Sequence, residues 1–491
     1  MLFTSAAFAF AFLPLLWVGF FTIAHLRRSL AALWLFAGSL FFYGYWMPEF
    51  VSLLMASIIF NFWVGRCIGT AADRQRARLW LGFGIVTNLV LLAYFKYANL
   101  LVETTRTLLG VNWIIDPITL PIGISFFTFT QIAFLADAYQ KGTREYKPVH
   151  YGLFVTYFPH LIAGPILHHA QMMPQFDSPA TYRINPANVS LGLLMFALGL
   201  FKKVVLADGV APYADVVFSA ADGGRASGFG ECWLAALAYT LQLYFDFSGY
   251  SDMAIGLSWL FNIRLPFNFD SPYRSANIID FWRRWHMSLS AFLRDYLYVS
   301  LGGNRRGRLR RYVNLLTTML LGGLWHGANW TFLVWGGLHG AYLVFNHLFR
   351  SILSDAVHQR LAASRSYRWA CWFLTMLSVM AAWVVFRADT FAGAKLIYSG
   401  MLGLNAMASS DLELWNAGLR SQLGWLWCLV LTCFAVIGPN TNWIGEAIRV
   451  RVESRLSLRM VLCGASAAVA VLLILINAAR GSSSPFIYFN F

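Results

Sequence analysis

The amino-acid sequence predicts an all-α polytopic membrane protein, and composition is the first reason. Of 491 residues, 58% are hydrophobic and only 12% are charged, whereas soluble proteins carry about 25% charged residues. So few charges cannot cover the surface of a soluble fold of this length. The second reason is that apolar runs of about twenty residues, the length of a membrane-spanning helix, recur along the chain.

The charges that remain are unbalanced, with 37 basic residues against 22 acidic ones. In a membrane protein such an excess reports orientation, because Lys and Arg collect in cytoplasmic loops. We therefore expect the lipid bilayer, and no nucleic acid, as the partner of the basic residues. Because no basic residue precedes the first apolar run, we expect an uncleaved first span, with both termini on the periplasmic side.

Alternating the direction of the apolar runs gives about eleven to fourteen membrane segments. We predict one integral-membrane domain over residues 1–491, with a cytoplasmic interfacial basic segment at 270–311. Residues 150–167 contain Pro159, Gly164 and Pro165 and are interpreted as a re-entrant hairpin. The other predicted spans cover residues 5–24, 30–47, 50–69, 79–98, 119–138, 189–206, 231–249, 251–268, 312–330, 331–349, 369–386, 424–438 and 460–478.

The segment Asp280–Tyr298 is too charged to span. Taken as one helix with about 100° per residue, it sorts into an apolar and a polar face. We predict an interfacial helix on the cytoplasmic side, with His286 turned away from water. The alternative is a core histidine bound to a backbone carbonyl. The predicted apolar face comprises Trp282, Trp285, His286, Leu289, Phe292, Leu293 and Tyr296.

Arginines are concentrated directly after this segment, between Arg305 and Arg311. Guanidinium groups bind phosphates through paired hydrogen bonds, and the glycines beside Asn304 would let backbone amides approach the same phosphates. Asn304, Arg305, Arg306 and Arg308 are therefore candidates to bind a phosphate-bearing donor. The alternative is an anchor on anionic lipid head groups that only fixes the orientation of the chain.

His326 is the main candidate for a catalytic residue, because it lies in the apolar segment Gly322–Trp330. An ionisable side chain at membrane depth is costly and points to function. Burial would keep its imidazole neutral and able to accept a proton from an alcohol. Neighbouring glycines would let the helix break or a substrate approach. The alternative is a structural role in which His326 binds Asn329 or a neighbouring helix; His339 is expected to pack nearby.

Two carboxylates, Asp246 and Asp252, lie in the stretch Tyr244–Asp252. Their spacing of six residues predicts nearly the same face of an unbroken helix, where they could act as an acid-base pair. The alternative is that they bind Arg or Trp side chains and shape a polar cavity. No cluster of residues at metal-ligand spacing occurs, so we predict no metal site.

These segments, in this order, resemble the membrane-bound O-acyltransferase (MBOAT) family, and specifically its bacterial alginate O-acetylation branch. The resemblance implies a helical bundle with re-entrant and interfacial helices around a central tunnel. It also implies that His326 corresponds to the family's active-site histidine and His286 to its second functional position. The matching motifs are Pro159–Pro165, Tyr244–Asp252, Pro266–Tyr273, Asp280–Ser288, Leu301–Asn304, Gly323–Trp330 and Pro485–Phe491.

The resemblance further implies an O-acetyltransferase of the bacterial inner membrane. Acetyl would pass from cytosolic acetyl-CoA, a substrate and not a bound cofactor, towards a periplasmic SGNH-type acetyltransferase or acceptor protein. An exported polysaccharide, alginate or a similar polymer such as cellulose, would receive it. We expect the substrate path to be lined by residues of three of these motifs, namely Trp285, Trp325, Asn329, Asp246 and Asp252.

Two other functions fit the same sequence. The first is D-alanyl transfer to teichoic acid from an acyl carrier protein. The second belongs to another class of protein, a polysaccharide or lipid transporter. Many transporters are built from repeated halves, and the sequence shows no internal repeat, which favours the enzyme.

Overall fold

The computed structural model describes residues 1–110, 116–145, 147–162, 164–405, 411–454, 456–480 and 484–490. Within these ranges the chain forms helices and no strand, which confirms the all-α prediction. The α-helices are α1 Leu13–Leu26, α2 Arg28–Gly44, α3 Val51–Thr70, α4 Arg74–Leu92, α5 Ala98–Leu109, α6 Ile124–Lys141, α7 Pro148–Thr156, α8 His169–Asp177, α9 Pro186–Phe201, α10 Asp208–Asp222, α11 Phe229–Leu260, α12 Ile278–Arg284, α13 Met287–Phe292, α14 Arg308–His326, α15 Trp330–Ile352, α16 Asp355–Ala363, α17 Arg365–Arg387, α18 Phe391–Met401, α19 Leu412–Asn416, α20 Ser421–Val436, α21 Thr441–Ser454 and α22 Leu456–Ala479.

Several helical runs are long and apolar enough to cross a membrane, so the chain is a multi-pass membrane protein. Other predicted spans fold as shorter helices: α2 has 17 residues and α7 has 9. The predicted total of about eleven to fourteen membrane segments stays a prediction. Among the described residues, the helical runs that are both long enough and apolar enough to cross a membrane, without being joined to a neighbouring helix, are Phe8–Leu26, Pro48–Thr70, Arg74–Leu109, Pro186–Asp222, Arg365–Arg387 and Ser457–Ala479.

The chain divides into two compact units, and the first comprises Met1–Phe201, Gly249–Phe267 and Thr441–Phe489. In this unit α9 packs along α22 and α1 packs along α2. Helix α7 is too short to span a bilayer and is followed by a tight turn, which agrees with the re-entrant interpretation of this segment. Residue 163 of that segment lies outside the described residues.

The second unit is built mainly from Lys202–Ser248 and Asn268–Asn440. Its core is the pair α14 and α15, which approach so closely that glycines are required. A methyl group at Gly323 would lie 2.2 Å from the carbonyl oxygen of Phe332, and one at Gly336 would lie 2.3 Å from that of Met319. The single domain predicted over the whole chain stays a prediction.

The structure corrects the prediction of two spans at 231–249 and 251–268, because α11 is one unbroken helix of 32 residues. Gly249 is the last residue of the first predicted span. In the structure this glycine serves close packing instead: a methyl group at Gly199 would lie 2.5 Å from the Gly249 carbonyl oxygen. A glycine inside an apolar run therefore marked a helix contact and not a helix end.

The predicted end of a span at Lys202 and Lys203 is also wrong. The helical run continues through a π-helical turn, Lys202–Ala207, into α10. Lys203 is buried beside two carboxylates, so its charge is neutralised inside the protein and does not mark a loop. Sequence analysis missed α10 for this reason, and it also missed the short helix α18.

We predict that Gly323→Ala destabilises the protein by about 1–3 kcal/mol, the usual cost of overpacking, because backbone atoms must move to admit the methyl group. The matched control is Gly337→Ala in α15, where the new methyl group meets only the Leu320 side chain, at 3.5 Å. This control should be neutral or stabilising, since Ala favours helix over Gly. Thermal unfolding of the two variants in detergent compares them, and equal midpoints would contradict the packing argument.

Candidate active site

His326 is the last residue of α14, and the local sequence explains why the helix ends there. Gly327 takes an extended conformation, and the side chain of Asn329 begins α15 by accepting a hydrogen bond from the Thr331 amide at 3.1 Å. A methyl group at Gly327 would lie 2.1 Å from the ring of Phe332. The glycine therefore permits the tight turn that leaves His326 at a helix end, which is one of the two roles that the sequence suggested for these glycines.

The His326 side chain is only 4% exposed and lies among aromatic rings of the second unit. Trp325 and Trp335 approach it with ring centroids 5.0 and 4.9 Å away, and Phe386 of α17 follows at 5.4 Å. Trp335 in turn stacks on Trp383, with ring centroids 5.5 Å apart. These rings hold the imidazole in one place and exclude bulk water from it.

His286 lies at a sharp break between α12 and α13, so the predicted single helix over Asp280–Tyr298 is wrong. The segment forms α12, then α13, and then a π-helical turn, Leu293–Tyr298. His286 has φ 43° and ψ 55°, a left-handed backbone conformation that costs a residue other than glycine about 1–2 kcal/mol. Such strain is concentrated at functional sites.

The predicted apolar face nevertheless survives the break. Its members from Trp282 to Leu293 are all buried, and only Tyr296 is partly exposed. The sequence pattern therefore identified the buried residues correctly but predicted the wrong backbone conformation. The left-handed residue between α12 and α13 turns the apolar faces of both helices inward, as a single helix would have done. His286 itself is fully buried.

Asn268 holds the start of α13 and was missed by sequence analysis as a functional residue. Its backbone carbonyl oxygen accepts one hydrogen bond from the Met287 amide, at 2.9 Å, and its side-chain oxygen accepts from the Ser288 amide and hydroxyl, at 3.2 and 2.8 Å. The sequence feature that could have identified Asn268 is a polar amide side chain between two phenylalanines in the motif Pro266–Tyr273. Asn268 thereby fixes the strained backbone on which His286 sits.

The two candidate histidines come from different elements and meet in the second unit. The ring centroids of His286 and His326 are 6.5 Å apart, and Trp325 lies beside both rings. A buried imidazole favours its neutral form, because burial penalises charge. A neutral imidazole can accept a proton from a hydroxyl group and later return it to a leaving group.

The predicted path residue Trp285 packs within an aromatic stack next to this pair. Its ring lies 5.5 Å from Phe281 and 5.1 Å from Trp383. The neighbouring Trp282 donates its indole N–H to Nδ1 of His339 at 3.3 Å, and His339 contacts Trp335 at 4.8 Å. His339 thus supports the ring that touches His326, as expected of a packing residue.

The side chain of Asn329 is engaged at both ends, since its oxygen caps α15 and its N–H₂ group donates to the Asp389 carbonyl at 2.8 Å. These bonds fix the turn after His326. A role for Asn329 or Trp325 towards a substrate stays a prediction.

The two carboxylates predicted as a pair are placed differently. Asp246 lies 2.6 Å from the ammonium of Lys203, which also lies 2.9 Å from Asp208. Asp252 is buried in the first unit. On the unbroken helix α11, six steps of about 100° separate the carboxylates by about 120° around the axis, so they do not share a face. Asp246 forms an ion pair with a lysine, where sequence analysis had expected an arginine or a tryptophan.

The candidate phosphate-binding loop is exposed and rigidly anchored at one end. The Gly303 carbonyl oxygen accepts a hydrogen bond from Asn314 at 3.0 Å, and the Tyr298 hydroxyl donates to Asn304. Arg305, Arg306 and Arg308 are exposed, and within the described residues none of them forms an ion pair. Their guanidinium groups are therefore available to an external anion.

The described part of the chain contains no group of three or more His, Cys, Asp or Glu residues able to hold a metal ion. The geometry thus defines a class of protein: a multi-pass helical membrane protein whose candidate site is a buried histidine pair walled by aromatic rings. Residues 85–387 match the membrane-bound O-acyltransferase family. The chain belongs to this family and is a membrane-bound acyltransferase.

Relatives of known name agree with this assignment. The chain is 44% identical over 420 residues to a probable alginate O-acetylase AlgI of Azotobacter vinelandii, covering 84% of this chain and 80% of the relative. It is 41% identical over 446 residues to a peptidoglycan O-acetyltransferase of Helicobacter pylori, covering 84% and 82%. A teichoic acid D-alanyltransferase of Bacillus subtilis is 28% identical over 237 residues, covering 46% and 59%.

We predict that Lys203→Met destabilises the protein by about 3–5 kcal/mol, since it leaves buried carboxylates without their cation. Lys203→Arg keeps the charge and should retain most of the stability. The neighbouring variant Lys202→Met is the control, because Lys202 is only half-buried. Unfolding midpoints in detergent measure the effect, and a Lys203→Met protein as stable as the Lys202→Met protein would show that the ion pair contributes little.

Proposed function

We propose that this protein moves acetyl groups from cytosolic acetyl-CoA across the bacterial inner membrane for O-acetylation of an exported polymer. The observation that carries the proposal is the burial of His326 at a helix end, 6.5 Å from a second buried histidine. Named relatives with over 40% identity are O-acetylases of alginate or peptidoglycan. Acetyl transfer is favoured over D-alanyl transfer because the two D-alanyltransferase relatives are only 28% and 27% identical and match 46% and 54% of this chain.

In the proposed reaction, neutral His326 acts as general base. An acceptor hydroxyl attacks the carbonyl carbon of the acetyl thioester while His326 takes the hydroxyl proton. The tetrahedral intermediate then collapses, the carbon–sulfur bond breaks, and His326 returns the proton to the departing thiolate. An ester and free CoA result, so atoms and charge balance without a covalent acetyl-enzyme.

The negative charge that develops on the carbonyl oxygen needs a hydrogen-bond donor. We assign this role to His286, since its ring is close enough to His326 for one small acyl group to contact both imidazoles. The strained conformation of His286, fixed by Asn268, is the kind of preorganisation that an oxyanion donor requires. The aromatic walls strengthen each of these interactions because they exclude water.

The donor and the acceptor reach His326 from opposite sides in this proposal. The arginines of the loop after Asn304 bind the phosphates of acetyl-CoA on the cytoplasmic side. On the periplasmic side, an SGNH-type acetyltransferase or another acceptor protein presents the hydroxyl and passes acetyl to the polymer. Alginate is the first polymer to test, and peptidoglycan and cellulose are the next.

His326→Ala should reduce acetyl transfer by about 10²–10⁴-fold, the usual contribution of a general base, while the protein inserts normally. The measurement is transfer of labelled acetyl from acetyl-CoA by the purified protein in liposomes, with and without the periplasmic partner. His25→Ala, at an exposed histidine, is the control and should remain active. Unchanged transfer by the His326→Ala protein would overturn the assignment.

Replacing Arg305, Arg306 and Arg308 together with Gln should raise the apparent KM for acetyl-CoA about tenfold, a loss of about 1.4 kcal/mol, with little change in kcat. The matched control replaces three exposed arginines of α4 with Gln and removes the same charge. An unchanged KM in the first variant, or an equal rise in both variants, would show that these arginines do not bind the donor and only fix the orientation of the chain in the membrane. The control positions are Arg74, Arg76 and Arg78.

The same assay separates the rival functions. Transfer that requires a D-alanyl carrier protein and ignores acetyl-CoA would favour D-alanylation. Movement of an already acetylated substrate that survives loss of His326 would favour a transporter.

A further inference from the structure

A groove of about 600 Å³ runs between α15 and α17 in the second unit, and neither His286 nor His326 lines it. This volume lies in the range of ordinary ligand sites, about 300–1,000 Å³. Its two long walls come from residues spaced three and four apart on each helix, so each helix contributes one face. The residues that matter here are Tyr342, Phe345, Asn346, Arg350, Arg368 and Cys371.

One end of the groove is cationic. Arg350 near the end of α15 and Arg368 near the start of α17 both line it, and the helices are joined on this side by the short helix α16. Both arginines are exposed, and neither forms an ion pair with a described residue. Two unneutralised guanidinium groups at one end of a groove favour an anion, and phosphate suits their geometry.

The rest of the groove is mostly apolar, and large apolar side chains are exposed along it. Phe345 is 67% exposed and Leu374 is 60% exposed, although both line the groove. Trp369 and Phe373 of α17 are also largely exposed, which is typical of a face that meets acyl chains. From Arg350 to Tyr342 the groove follows about 12 Å of α15, so one end is charged and the other suits a hydrocarbon chain.

Asn346 gives the groove a hydrogen-bond acceptor, so a ligand that also carries a hydrogen-bond donor is favoured. Its side-chain oxygen is buried and has no hydrogen-bond partner among the described residues. It lies one helical turn from Arg350, and side chains on a helix lean towards its N-terminus, so the Arg350 guanidinium leans towards the level of Asn346. Asn346 lines the groove, so a rotation of its side chain would present this oxygen to a hydroxyl group of a ligand whose phosphate lies at Arg350.

We propose that the groove binds one anionic glycerophospholipid with a hydroxyl-bearing head group, of which phosphatidylglycerol is the simplest. Its phosphate lies between Arg350 and Arg368, a head-group hydroxyl donates to Asn346, and one acyl chain follows the apolar walls towards Tyr342. A zwitterionic lipid supplies an ammonium group that the arginines repel. This site is separate from the proposed acetyl transfer and does not depend on it.

The test is native mass spectrometry of the full chain after delipidation, with phosphatidylglycerol or phosphatidylethanolamine added back. One phosphatidylglycerol should bind per chain, at least about tenfold more tightly than phosphatidylethanolamine. Arg350→Gln with Arg368→Gln should remove this preference. The control pair, Arg360→Gln with Arg365→Gln, removes the same charge outside the groove lining and should keep it.

Two further variants separate the parts of the site. Cys371→Phe fills the groove and should abolish binding with both arginines intact. Asn346→Leu should lower the affinity for phosphatidylglycerol and leave that for phosphatidic acid, which lacks the head-group hydroxyls, unchanged. Equal affinity of the wild-type protein for phosphatidylglycerol and phosphatidylethanolamine would overturn the proposal, even if a variant fails to fold. Displacement of the lipid by CoA would also overturn it, because the groove would then serve the donor.

Discussion

The close contact between α14 and α15 is the constraint on which the candidate site depends. Because Gly323 and Gly336 lack side chains, the two helices approach until backbone meets backbone. The three-residue turn between them then leaves His326 at a helix end and brings Trp335 of α15 against its ring. A larger residue at either glycine would separate the helices and move the imidazole away from its aromatic walls.

Burial of polar groups is the second theme of this unit, and each buried group is stabilised in its own way. Lys203 and Asp246 neutralise each other's charge, so both can be buried as long as their side chains stay paired. The imidazoles need no counter-ion, because burial favours their neutral form. A neutral buried imidazole can still accept and return a proton, and the proposed reaction uses this property.

Much of this arrangement could be predicted from the sequence, and the failures have physical causes. Composition predicted the all-α membrane fold, and the motif around His326 predicted the family. The backbone conformation at His286 could not be predicted from the sequence. Two short helices joined by one left-handed residue bury the same apolar residues as a single helix would, so the apolar pattern does not distinguish the two. Lys203 was misplaced for a related reason: a charge inside a helix looks like a span end until its partners, distant in sequence, are known.

The proposed acetyl transfer requires the acetyl carbonyl of the donor to reach His326, and electron cryo-microscopy of the protein with a non-hydrolysable acetyl-CoA analogue would show whether it does. We expect the analogue's acyl group between His326 and His286, with a hydroxyl-sized space within hydrogen-bond reach, about 3 Å, of the His326 ring. We also expect the analogue's phosphates beside Arg305 and Arg306. An acyl group bound beyond the reach of both imidazoles would show that neither histidine acts on the acetyl group.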